Sequence, residues 1–296
     1  MKILTNLLSS TEMRLLVLGA RGMLGTDMLQ DWKSSEVIPA DSAEADIRDI
    51  AQVRALVSSV RPNWIVLTAA YTDVDGSEKN SDLAFAVNST GTENVARVAS
   101  EMGTRLFYVS TDYVFDGAAT RPYEPTDPIH PLNVYGASKA AGEQAVQNYS
   151  WDWCIGRTSW LFGASGASFP ERILKASETQ SELFVVCDQV GSPTFTRDLA
   201  SAILRLICAQ ARGVVHITNS GSCSWFEFAQ EVLRQAGRES IRVLPVTSRE
   251  YPRPAQRPVY SVLSPASLSR YGIAMRNWKA ALPDYLQDLR QVGKIK

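Results

Sequence analysis

"RLLVLGARGMLG", Arg14–Gly25, joins a short apolar run, Leu15–Leu18, to three glycines spaced three apart. A short run apolar at every position predicts a strand buried on both faces, as in a parallel sheet. Gly19, Gly22 and Gly25 then sit between that strand and a following helix-compatible segment. Glycines there let the backbone approach a pyrophosphate closely, and the helix N-terminus supplies N–H donors. The spacing is G-x-x-G-x-x-G rather than G-x-G-x-x-G. Alone it fits a plain turn equally well. Its weight comes from standing first in a β-α series.

The series continues outward from that loop. Val37–Asp41 reads as a second strand. "IRDIAQVRALVSSV" reads as an amphipathic helix with Ile50, Val53, Val57 and Val60 on one side. "WIVLTAA" (Trp64–Ala70) is a third strand. Residues 81–103 form one long helix closed by Gly103. "RLFYVST" (Arg105–Thr111) is a fourth strand, and "WCIGRT" (Trp153–Thr158) a fifth. Five β-α repeats predict an α/β fold, a Rossmann-type doubly wound parallel sheet with ligands at the carboxyl ends of its strands. Beyond Trp160 the pattern loosens. "FVVCD", "GVVHIT" and "IRVLPV" read as strands and "SWFEFAQEVLRQAG" as a helix. "YPRPAQRPVYSVL", rich in Pro and Arg, reads as a loop. This predicts a sheet domain over 13–160, with 183–218 returning to it, and a smaller mixed α/β substrate lobe from 161–182 and 219–296. Residues 1–12 read as an N-terminal extension.

Bulk properties exclude several classes. Hydrophobic residues are 45% and charged residues 21% of 296, the mix of a soluble globular protein. A net charge of −1 gives no bulk attraction to nucleic acid or to an anionic membrane. No apolar run reaches membrane-spanning length, and "MKILTNLLSSTEM" lacks the pattern of a signal peptide. The four cysteines are far apart with no C-x-x-C, so neither structural zinc nor a disulfide framework is indicated, and a reducing cytoplasm fits.

The chemistry gathers around "NVYGASKAAGEQAV", Asn133–Val146. Tyr135 and Lys139 lie one helical turn apart on one face. With only two histidines in the chain, the usual general acid–base residue is scarce, and this pair can replace it. Asp41 ends the second strand, where a carboxylate bonds a ribose 2′-hydroxyl, which favours NAD; its alternative is a helix or turn cap. Arg21, inside the glycine loop, instead suits a 2′-phosphate. Asp46 is within reach of an adenine. "TAAYTD" and "STDYVFDG" end the third and fourth strands.

Together with "GARGMLG", "PLNVYGASKAAGE", "RTSW", "DQVGSPT" and "RPAQRP", these stretches make the chain resemble the dTDP-4-dehydrorhamnose reductase family of extended short-chain dehydrogenases/reductases, from about Met13 onward. The resemblance implies reduction of dTDP-4-dehydro-L-rhamnose to dTDP-L-rhamnose with NADPH or NADH. It implies Tyr135 as proton donor, Lys139 lowering the phenol's pKa and bonding the nicotinamide ribose, and Thr111 bonding the substrate carbonyl. By the same resemblance Gly22, Met23 and Leu24 contact the pyrophosphate. Ile47, Ala70, Tyr71, Thr72 and Val109 line the cofactor cleft. Asp112 touches substrate, Trp160 borders the sugar, and Arg257 with Arg253 grips a diphosphate. Some members are Mg²⁺-dependent homodimers, although no ligand cluster stands out in this sequence. Two alternatives stay open: another nucleotide-sugar reductase or epimerase, and a non-catalytic NADP-binding regulatory subunit like that of methionine adenosyltransferase. The tryptophan of "RTSW" favours the reductase.

Overall fold

The computed structural model describes residues 13–33 and 35–295; the expected N-terminal extension, 1–12, lies outside them. The first part of the chain alternates strands and helices. It runs β1 (Arg14–Leu18), α1 (Met23–Asp31), β2 (Glu36–Ala40), α2 (Ile50–Val60), β3 (Trp64–Leu67), α3 (Val74–Lys79), α4 (Ser81–Phe85), α5 (Thr92–Glu101), β4 (Arg105–Thr111), α6 (Val134–Tyr149) and β5 (Trp153–Thr158). A π-helical turn, Ala86–Gly91, joins α4 to α5. Then follow β6 (Leu161–Phe162), α7 (Phe169–Ala176), β7 (Glu182–Val186), β8 (Val190–Gly191), β9 (Thr194–Phe195), α8 (Thr196–Cys208), β10 (Gly213–His216), β11 (Cys223–Ser224), α9 (Trp225–Gln235), β12 (Arg242–Val246), α10 (Ala266–Ser269) and α11 (Trp278–Gln291).

Six strands form one parallel sheet in the order β2-β1-β3-β4-β5-β10. After β2 the chain crosses back over β1 to β3, so the strand order reverses between β1 and β3. That reversal opens a crevice at the carboxyl ends of these strands, the binding position in doubly wound folds. β3 is apolar at every position, and β1 at every position after Arg14, because helices cover both faces. On one face Leu15, Val17, Trp64, Val66 and Phe107 pack against α1 and α8, and Trp32 donates its indole N–H to the Ala200 carbonyl at 3.0 Å. On the other, Leu16, Leu18, Ile65, Leu106 and Ile155 pack against α2, α5 and α6.

The segment 183–218 does not return to the sheet as a unit. β10 is its sixth strand, but β7 pairs with β12 in a separate two-stranded sheet. Its pattern explains the difference: Leu183 and Val185 are buried while Phe184 is exposed, so β7 has one wet face and cannot be a central parallel strand. The lobe has its own core, in which Phe162, Phe195, Phe228, Trp278 and Tyr285 meet at edge-on or stacked angles.

The helix expected over 81–103 is also interrupted. The π turn carries Asn88 inward, where its amide exchanges two hydrogen bonds with the Tyr71 backbone (2.8 and 3.0 Å) and donates to the Ser138 hydroxyl at 2.9 Å. Single π turns of this kind recur beside functional sites. A buried ion pair fixes α6 against the sheet. Arg157 of β5 donates twice to Glu143 of α6, at 2.9 and 2.7 Å, and Ser110 of β4 donates to the same carboxylate at 2.5 Å. Removing one partner of such a pair costs about 3–5 kcal/mol because the other charge stays buried, so the helix bearing Tyr135 and Lys139 is held firmly.

Candidate active site

The glycine loop has little steric freedom. Gly19 adopts φ +94°, and a Cβ there would lie 2.5 Å from the Ala69 nitrogen. A Cβ on Gly25 would collide with the Gly19 carbonyl. Gly22 is the N-cap of α1 and brings no side chain to cap it, so the first-turn N–H groups open onto the crevice. A cavity of about 720 Å³ starts here. Gly19, Gly22, Met23, Leu24, Gly25, Asp41, Asp46, Ile47, Ala70, Thr72 and Val109 all line it. Tyr71 does not; its backbone is occupied by Asn88. The Asp41 carboxylate accepts the Arg21 backbone N–H at 2.6 Å, so it braces the glycine loop, and the Arg21 guanidinium pairs with Glu44 at 2.8 Å. Asp46 is held by Arg48 at 2.5 Å.

Thr111, Asp112, Tyr135 and Lys139 line the same cavity. Thr111 is the last residue of β4. The Tyr135 helix starts at Asn133, whose side chain accepts the Gly136 N–H at 2.7 Å, a cap of the kind worth about 1 kcal/mol. Lys139 is buried. Its ammonium donates to the Val109 carbonyl at 2.7 Å and lies 4.1 Å from the Tyr108 ring centre. Burial pulls its pKa down to about 7, although Glu143 opposes the shift. The Tyr135 phenol moves the other way from the expected lowering. Burial pushes it up to about 12, Thr111 eases the shift by hydrogen bonding, and Asp112 adds to it. Desolvation is the largest cause, and Lys139, itself buried, directs one of its three donors to the Val109 carbonyl. Asp112 accepts from the Thr111 hydroxyl at 3.0 Å, and its other oxygen has no hydrogen-bond partner among the described residues. Burial pushes that carboxyl up to about 7.

Across the cavity stands Trp160, in the left-handed region at φ +48°. For a bulky residue this costs on the order of 1–3 kcal/mol and persists only where the surroundings enforce it. Its indole stacks on Trp225 with ring centres 3.5 Å apart and planes 6° from parallel. Arg257 is not among the lining residues. It donates to Asp75 at 2.6 Å, and Arg253 binds the same carboxylate.

A family model described as the RmlD substrate binding domain matches residues 13–291. The dTDP-4-dehydrorhamnose reductase of Mycobacterium tuberculosis (strain ATCC 25618 / H37Rv) is 40% identical over 278 residues, covering 91% of both chains. The chain belongs to the dTDP-4-dehydrorhamnose reductase family. It is therefore related to oxidoreductases that act on nucleotide sugars. The spore coat polysaccharide biosynthesis protein SpsK of Bacillus subtilis (strain 168) is 41% identical over 277 residues, 93% of this chain and 97% of its own. The crystal structure of a dTDP-4-dehydrorhamnose reductase from Bacillus anthracis, in complex with NADP, superposes with a TM-score of 0.91 at 38% identity, covering 94% of this chain and 99% of that one. The two relatives named for an activity are reductases, which favours an enzyme over the regulatory-subunit alternative.

Within this reductase family's fold, the residues missed from the sequence are Trp225 and Tyr113. Both line the cavity, and the Tyr113 ring stands edge-on to Tyr135 at 5.9 Å. Tyr113 lies two residues after Thr111 and was in plain view in "STDYVFDG". Trp225 had one signal, the Ser224 and Glu227 capping box that starts its helix. Nothing in the sequence pairs it with Trp160, 65 positions earlier. Among the described residues no group of three or more His, Cys, Asp or Glu side chains stands ready for a metal ion, so the Mg²⁺ implied by the family resemblance finds no such cluster. No helix among them is long and apolar enough to cross a membrane.

Proposed function

We propose that the chain reduces the C4 keto group of dTDP-4-dehydro-L-rhamnose to give dTDP-L-rhamnose, with Tyr135 as proton donor. The observation that carries this reading is one continuous cavity lined by the glycine loop, Thr111, Tyr135, Lys139 and Trp160. A dinucleotide fits the loop on steric grounds, since side chains at Gly19 or Gly25 would fill the cradle. The first-turn donors of α1, from Gly22, Met23 and Leu24, would hold the pyrophosphate. Asp41 would meet the adenine ribose, Asp46 and Ile47 the adenine, and Ala70, Thr72 and Val109 the nicotinamide side of the cleft.

A bound reduced nicotinamide supplies the hydride. Thr111 orients the sugar's keto oxygen by hydrogen bonding. As the C=O bond becomes C–O, Tyr135 transfers its phenolic proton to that oxygen. The tyrosinate left behind is stabilised by the Lys139 ammonium one turn away and regains its proton from solvent. A depressed lysine pKa suits proton exchange near neutrality, because either form is accessible there. The test follows loss of reduced nicotinamide absorbance with a panel of nucleotide keto sugars. Turnover confined to a different sugar nucleotide would overturn the substrate, and no turnover with any of them would overturn the activity.

Cofactor preference follows from Asp41. A carboxylate near a 2′-phosphate is repelled by about 1 kcal/mol at 4 Å in water. Asp41→Ala is expected to shift the ratio of kcat/KM for NADPH over NADH upward by roughly fivefold. An unchanged ratio would mean that Asp41 serves only the Arg21 N–H.

A further inference from the structure

Trp160 is held in place by the lobe. Its carbonyl accepts the Thr194 N–H at 3.2 Å, and the hydroxyl of the preceding Ser159 donates to the Ser192 carbonyl at 2.6 Å. A Cβ on Gly191 would collide with the indole, so Gly191 and Trp225 hem the ring in. These two are coupled. β11, immediately before Trp225, pairs antiparallel with β8, bringing Cys223 opposite Gly191 and Ser224 opposite Val190. The first turn of α9 is then fixed reciprocally: the Ser224 hydroxyl accepts the Glu227 N–H at 3.1 Å, and Glu227 accepts the Ser224 N–H at 2.7 Å. Trp225 occupies the first position of that turn, half-buried, with its ring flat against Trp160.

A left-handed backbone at a tryptophan relaxes if nothing opposes it. Gly191 blocks one escape route by contact, but a glycine has no side chain to hold a ring in plane. The flat stack on Trp225 supplies that hold. We infer that Trp225 is a positioning residue, which keeps the Trp160 indole in its left-handed setting as the lobe-side wall of the sugar end of the cavity. This rests on the proposed reading of the cavity as a nucleotide keto-sugar site. It adds that the sugar wall is a two-indole unit whose second member comes from α9.

The experiment uses the full chain with Trp225→Phe, Trp225→Leu and Trp225→Ala. Two indoles stacked face to face couple their transitions, and where their long axes are rotated in plane the far-ultraviolet circular dichroism carries an exciton couplet. The couplet should vanish in Trp225→Phe and equally in Trp160→Phe. Its survival in either variant would overturn the stack, whatever the substrate proves to be. Binding is then read with dTDP, with dTDP-L-rhamnose and with NADPH. Trp225→Leu and Trp225→Ala should weaken dTDP-L-rhamnose by roughly five- to tenfold while dTDP and NADPH stay near wild type. Trp225→Phe should restore most of the loss, because a flat ring is what the role needs. Equal weakening of dTDP and NADPH, or no rescue by Phe over Leu, would reduce Trp225 to a core residue and overturn the inference. If Trp225→Ala does not fold, the contrast between Phe and Leu decides alone. Failure of wild type to bind any dTDP-sugar would sink the proposed function instead, and the couplet would then test the stack independently.

Discussion

Tyr135→Phe is expected to lower kcat by about 10²–10⁴-fold, the span that a positioned proton donor supplies. NADPH binding should stay near wild type. Only the phenolic O–H is lost; the ring keeps its edge-on contact with Tyr113 at 5.9 Å and its place at the start of α6. Burial holds the ligand-free phenol at about 12, so Tyr135 is fully protonated across the neutral range and always in the donor form. The alkaline limb of kcat/KM, which reports free-enzyme groups, should therefore not come from Tyr135. Two other groups titrate near neutrality, Lys139 and Asp112, each at about 7. A kcat near wild type in the Phe variant would remove Tyr135 from the chemistry.

Lys139→Ala should damage turnover and cofactor affinity together. A hydrogen bond from a charged group contributes about 1.5–3 kcal/mol, so each should fall by roughly 10- to 100-fold. The substitution also leaves the Val109 carbonyl without its donor. Lys139→Met keeps the volume and separates the lost charge from the lost packing. The same variant exposes a linkage. The folded pKa of about 7 lies below the ordinary 10.5. Between these values the unfolded chain holds a proton that the folded chain has released. Wild-type stability should then rise as pH climbs from about 7 towards 10.5, and below 7 this contribution is constant. Lys139→Met should lack that rise, as measured by denaturant midpoints across the range. Parallel profiles for the two proteins would show that the lysine is not desolvated in solution, and an unchanged NADPH affinity would remove its cofactor role.

What the sequence reveals follows the physics of burial. Strands covered on both faces leave largely apolar runs, so β1, β4 and β5 stand out within a residue of their ends, while β3 stops at Leu67, three residues before the expected Ala70. The glycine loop was legible because close backbone approach admits no substitute for Gly19 or Gly25. Lys139 and Tyr135 were legible as a spacing. Their electrostatics were not, because desolvation depends on what covers them: the Tyr108 ring, the Val109 carbonyl and Asp112 all arrive from β4 and its end. The lobe was least legible. Its strands are two to five residues long, β7 and β12 carry exposed positions, and partners lie far along the chain, as with that same pair. Trp225 belongs to this class, since the contact that defines it spans two short strands.

The sheet also carries a timetable for synthesis. Its sixth strand and the helix α8, which covers Leu15, Val17 and Val66, lie after residue 195, beyond the first stretch of the lobe. A nascent chain that has emerged through β5 therefore has one greasy face covered by α1 alone and the edge of β5 unpaired. Such surfaces invite association with other chains. The ribosome must deliver nearly sixty further residues, roughly 3–12 seconds of elongation, before α8 and β10 (Gly213–His216) can both cover them. A truncated polypeptide ending at residue 160 should for that reason collect in inclusion bodies, while one reaching residue 295 should not.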